Sequence, residues 1–127
     1  MTDVTGFGLL GHLIEMTEGS CLSAEIYYDK LPITAGLKEY TPQRIFPDAN
    51  TRNWNAYSDK VKFEKGVNVM EAFTLLPDPQ TNGGLLFSVK KEEVDVVNKL
   101  LLKHKLELFA EPVGEMIAEG EKRVFVK

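Results

Sequence analysis

The opening "TDVTGFGLLGHLIE" constrains this chain more than any other stretch. Gly6, Gly8 and Gly11 follow an acid and two threonines, and Leu9, Leu10, Leu13 and Ile14 then recur at helical spacing. A helix that starts among glycines offers free N–H groups and no side chain to keep out a second backbone or an anion. The spacing predicts a helix from Phe7 to about Thr17, with Gly19 and Ser20 as its stop.

Downstream, "LSAEIYYD" puts Ala24, Ile26 and Tyr28 on one strand face, and "KLPITAGLKEY" reads as a short helix with Pro32 in its first turn. Between Thr41 and Gly66, Pro42, Pro47, Asp48, Asn50, Asn53 and Asn55 break helical regularity, leaving a short strand near "KVKFE". So long an irregular connection is a candidate substrate loop, with a plain solvated excursion as the equal alternative.

Val69, Met70, Phe73 and Leu76 mark a short helix ending before Pro77, and "GLLFSV" reads as a buried strand behind Gly83 and Gly84. Val94, Val97, Leu100 and Leu101 define an amphipathic helix from Lys91 to His104, with Lys90, Lys91, Lys99, Lys103 and Lys105 as solvated charge. "LELFA", "VGEMI" and "RVFVK" have strand character, the last two separated by a turn through Glu119 and Gly120. Helices and strands interleave without the long regular units of a doubly wound sheet. The expected fold is therefore α+β, a mixed β-sheet covered by helices.

At 127 residues the chain suits one domain, able to bury about two-thirds of its unfolded surface. Its 43% hydrophobic and 27% charged residues fit a soluble globular protein, and no apolar run approaches the ~20 residues of a membrane span. No signal-peptide pattern opens the chain, and one cysteine excludes an internal disulfide, so a reducing cytoplasm is expected. A formal charge of −4 argues against non-specific nucleic-acid binding. Cys21, without any activating neighbour in the sequence, reads as a structural thiol.

Two segments carry polar chemistry. In the first, Gly6 and Gly8 suit a phosphate contact, and Asp3 offers the hard oxygen that Mg²⁺ takes alongside waters and substrate phosphate. Asp3 or Thr5 serves equally as a helix cap, and the glycines serve equally for close packing. The second segment, "LPDPQTNGGLL", stiffens a turn with Asp78 and two prolines. It presents Gln80, Thr81 and Asn82 before Gly83 and Gly84, either as a backbone nest for an anion or as an ordinary rigid turn. His12 and Glu15, one helical turn apart, form a possible metal pair but more simply a satisfied contact. His104, at a lysine-flanked helix end, suits the local dipole.

The pairing of "TDVTGFGLLGHL" with "DPQTNGGLL" at this separation resembles the C-terminal half of selenophosphate synthetases (selenide, water dikinases), within the larger family that includes aminoimidazole ribonucleotide synthetase. "TRNW" and "EPVGEM" extend the resemblance over nearly the whole chain. The resemblance implies an enzyme that makes selenophosphate from selenide, ATP and water, releasing AMP and phosphate, with Mg²⁺ as cofactor and a homodimer as its usual state. It assigns Asp3 to Mg²⁺, and the substrate or phosphate contacts expected beside it are Thr5, Gly6, Gly8, Asn53, Gln80, Thr81, Asn82, Gly83 and Gly84.

The same resemblance makes residues 1–127 a single C-terminal domain. The catalytic cysteine or selenocysteine, its lysine and most of the nucleotide site would belong to an N-terminal half of the same polypeptide. No catalytic residue is then expected in this chain, and the isolated fragment is expected to fold without turning over ATP. Two departures stand out: "PDANTRN" replaces a family "PGGT" ahead of Asn53, and Asn82 replaces the usual serine of "QTSGG". Other readings are a domain of another ATP-dependent enzyme of this superfamily, and a stand-alone non-catalytic module for an anion or a partner.

Overall fold

The computed structural model describes residues 1–43 and 45–127; Arg44, inside the expected loop, lies outside the described residues. Its centre is a four-stranded mixed sheet of β2 (Leu22–Ile26), β3 (Val61–Phe63), β5 (Gly114–Ala118) and β6 (Val124–Val126). The order is β3-β6-β2-β5, with β6 parallel to both β2 and β3, and β5 antiparallel to β2. A two-stranded antiparallel ribbon joins β1 (Thr2–Asp3) to β4 (Leu85–Leu86). The expected α+β class with a mixed sheet is what forms.

Strand alternation sets the core. Ala24, Ile26, Val124, Val126 and Val61 are buried on one face, against Leu10, Leu13 and Ile14 of helix α1 (Gly8–Ser20). Burying each such branched side chain contributes about 1.5–3 kcal/mol before chain entropy is counted. On the opposite face buried Ser23 is satisfied: its hydroxyl donates to the Lys122 carbonyl and accepts from Gly120 N–H, tying the β5–β6 turn to β2. "VGEMI" and "RVFVK" are strands as expected, yet β2 lies between them in the sheet.

Several expectations are corrected. Tyr28 is buried but belongs to a 3₁₀ turn beyond β2, and the helix expected around Pro32 is only α2, Leu37–Tyr40. "LELFA" forms a 3₁₀ turn at Glu107–Phe109, and of "GLLFSV" only Leu85–Leu86 is strand, with Leu85 exposed. The amphipathic helix forms as α5 (Val94–Lys103), behind a 3₁₀ turn at Lys91–Glu93, without a fully buried residue. Helix α1, by contrast, ends at Ser20, within the expected Gly19–Ser20 stop, and exposed Cys21 caps it in the left-handed conformation at φ 54°.

The largest correction is α3 (Asp48–Tyr57), a helix where an irregular loop was expected. Pro47 stands before the first turn in extended conformation, where it starts a helix instead of breaking one, and Asp48 suits the positive end of the dipole. Asparagine weakens helices by bonding its own backbone. Here Asn50 and Asn53 are buried and donate instead to carbonyls of another segment. Trp54, one residue on, packs against Phe63 and edge-on to Phe73 of α4 (Val69–Leu75), where the Asn68 side chain accepts from Glu71 N–H at the N-terminus.

Candidate functional site

The two chemistry-bearing segments, some eighty residues apart in the chain, are stitched together by backbone hydrogen bonds. Thr2 faces Leu86 and Asp3 faces Leu85 in the ribbon. Val4 N–H then donates to the Gly84 carbonyl at 2.9 Å, Gly83 N–H to Val4 at 3.0 Å, and Gln80 N–H to Thr5 at 3.0 Å. The 80–83 turn thus wraps over Val4 and Thr5. Alternation along β1 sends Val4 into the core and leaves Asp3 exposed.

Asp3 takes part in no ion pair among the described residues. An exposed carboxylate on a paired strand suits a hard cation, but no group of three or more His, Cys, Asp or Glu able to hold a metal occurs among the described residues. Were Mg²⁺ to bind beside Asp3, this carboxylate would give it one ligand, the rest coming from waters and phosphate oxygens or from outside the chain.

Around Asp3 the polar groups divide into those facing out and those bonded inward. Gly6, Gln80, Thr81, Asn82, Gly83 and Gly84 are exposed, and no acceptor among the described residues takes the N–H of Gly6, Thr81 or Asn82. Gln80 also donates through Nε2 to Asp78 Oδ2 at 2.7 Å. Asp78 is half-buried; burial pushes its pKa up from the ordinary carboxylate value, and the hydrogen bonds from Gln80 and Asn50 oppose that shift. Asp78 is held by its turn more closely than the sequence alone suggested.

Thr5 faces inward. Its hydroxyl lies 3.1 Å from His12 Nε2, and His12 Nδ1 lies 3.3 Å from Glu15 Oε2. The Glu15 carboxylate selects the Nδ1–H tautomer, which leaves Nε2 to accept from the Thr5 hydroxyl. His12 is buried and satisfied, as its simpler reading held.

Gly8 is also internal. It is buried at φ +67°, donates its N–H to Thr5, and sits so close to Leu76, Pro77 and Asp78 that a Cβ would meet their backbone atoms. Leu10 N–H and Gly11 N–H in the first turn of α1 go to the Leu76 and Phe7 carbonyls. Much of the anion-binding capacity expected of that helix start is thus already spent within the fold.

Asn53 is buried in α3, and its Nδ2 donates at 2.9 Å both to the Gly6 carbonyl and to the Pro77 carbonyl. Asn50, one turn earlier, donates at 2.7 Å to the Thr74 carbonyl. The Asn50 contact was missed by sequence reasoning; the signal was the i, i+3 spacing of two asparagines on the helix face that also carries Trp54 and Tyr57.

The whole of this arrangement falls within one family: the model for AIR synthase related protein, C-terminal domain, matches residues 1–127. The chain belongs to that family. Among curated relatives, the chain is similar to the selenide, water dikinase of Haemophilus influenzae, at 41% identity over all of this chain and 35% of the relative. The selenide, water dikinases of Dechloromonas aromatica and Burkholderia ambifaria are 43% and 41% identical over 126 residues, again 99% of this chain and 35% of each relative. The chain thus spans about a third of the length of the curated relatives it matches. No helix among the described residues is long and apolar enough to cross a membrane.

Proposed function

We propose that this AIR synthase-type domain is the C-terminal domain of a selenide, water dikinase, in which ATP, selenide and water give selenophosphate, AMP and phosphate. The observation that carries the reading is the ribbon between β1 and β4, which presents Asp3 beside the exposed 80–84 turn and the open N–H groups of Gly6, Thr81 and Asn82. Identity of 41–43% with selenide, water dikinases over essentially the whole chain supports this activity within the family.

In this reading the domain supplies one wall of a phosphoryl-transfer site. The Asp3 carboxylate would hold one Mg²⁺ position, and the open N–H groups of Gly6, Thr81 and Asn82 would meet phosphate oxygens. Bound Mg²⁺ would neutralise charge building on the transferring phosphate. Thr5 and Gly8 act from behind, Thr5 held by His12 and Gly8 allowing the two segments to meet. No side chain of this domain acts as nucleophile. That group and most of the nucleotide site belong to the remaining two-thirds of the polypeptide, and the enzyme works as a homodimer in the cytoplasm.

Asp3→Asn in the full-length protein tests the metal role. The expected result is a fall of about 100-fold in selenide-dependent AMP release together with a raised Mg²⁺ requirement, since the charge, not the shape, is removed. Unchanged Mg²⁺ dependence and turnover would take Asp3 out of the site.

A further inference from the structure

We propose that Asn53 is a positioning residue: one side-chain amide locks the Asp3-bearing segment to the proline turn, and so sets the Gly6–Phe7 peptide for phosphate. Both of its N–H groups are used, at 2.9 Å each, on carbonyls 47 and 24 residues away in the chain. No other side chain among the described hydrogen bonds touches both segments at once.

The geometry has a chemical consequence. In a trans peptide the C=O and the following N–H point in opposite directions. Drawing the Gly6 carbonyl toward buried Asn53 turns the N–H of Phe7 away from the core, and no acceptor among the described residues takes that N–H. Phe7 is itself half-exposed. Loss of the amide would free this peptide to rotate and would leave the backbone bonds of Val4, Gln80 and Gly83 to hold the two segments together without their side-chain tie. The residue needs two donors on one planar group at fixed spacing, which asparagine offers and aspartate of the same shape does not.

The chemical part of the inference rests on the proposed selenide, water dikinase activity; the structural part does not. The test therefore has two readouts on the full-length protein. Amide hydrogen exchange in Asn53→Ala is expected to speed exchange at Val4, Gln80 and Gly83 by about tenfold, with the β2 and β6 amides unchanged. Asn53→Asp, which swaps the two donors for an acceptor, is expected to lower kcat for AMP release by about 100-fold while KM for ATP moves far less.

Ile14→Val, a change in the buried core that removes neither of Asn53's hydrogen bonds, controls for lost stability. It is expected to leave both readouts alone at a matched fall in thermal midpoint. Where Asn53→Ala fails to fold, Asn53→Ser keeps one donor and should show the same exchange pattern in weaker form. Exchange that rises uniformly, or a kcat loss that Ile14→Val reproduces, overturns the proposal. Absent selenide-dependent AMP release in the wild type would overturn the activity and leave the clamp to stand or fall on exchange.

Discussion

Replacing Gly8 by alanine probes how the two polar segments are joined. The residue sits at φ +67°, a conformation that costs an L side chain about 1–2 kcal/mol. A Cβ there would lie 2.5 Å from the Pro77 carbonyl carbon and 2.8 Å from the Leu76 and Asp78 oxygens. These are backbone atoms, and the Leu76 carbonyl is already fixed by Leu10 N–H at 2.9 Å, so no rotamer change relieves the clash. Overpacking of this kind costs about 1–3 kcal/mol, bringing the total to about 2–5 kcal/mol. That is a large share of the about 5–15 kcal/mol that holds a domain together.

Gly6→Ala is the matched control, because nothing lies within 4 Å of its added carbon and its φ is not positive. Its stability should stay within about 0.5 kcal/mol of wild type. In urea unfolding the Gly8→Ala midpoint should fall by about 1 M or more at unchanged slope, while Gly6→Ala stays with wild type. Equal midpoints for the two variants would refute the close-packing argument.

Two further predictions concern stability. The raised pKa of Asp78 means that the folded state holds its proton more tightly than the unfolded chain, whose carboxyl titrates near about 3.9. The contribution is present below that value and lost as pH rises through the folded pKa, so Asp78→Asn should gain on wild type between about pH 3 and pH 7. Thermal midpoints measured across that range check it, and a constant offset would contradict it. Cys21→Gly should stabilise by about 1 kcal/mol, the relief of a left-handed residue at φ 54° less the entropy glycine adds to the unfolded chain. An unchanged denaturation midpoint would show that the αL turn carries no strain.

Elements built on one clean period were legible in the sequence. Leu10, Leu13 and Ile14 announced α1, Ala24 and Ile26 announced β2, and Val94, Val97 and Leu101 announced α5. Helix α3 was not legible, because its asparagines look like turn formers until the carbonyls of Thr74, Pro77 and Gly6 are seen to receive them. The order of β5, β2 and β6 depends on pairings far apart in the chain, which no local pattern carries. At the candidate site, residue types pointed to Asp3 and the 80–84 turn, but a two-residue strand has no period, so the ribbon joining them was invisible.

The most direct test of the account is the reaction of the full-length protein with MgATP and selenide, followed by phosphorus NMR. The account predicts a phosphorus–selenium species, AMP and phosphate appearing together and only when selenide is present. Release of ADP alone, or AMP formed equally well without selenide, would contradict it.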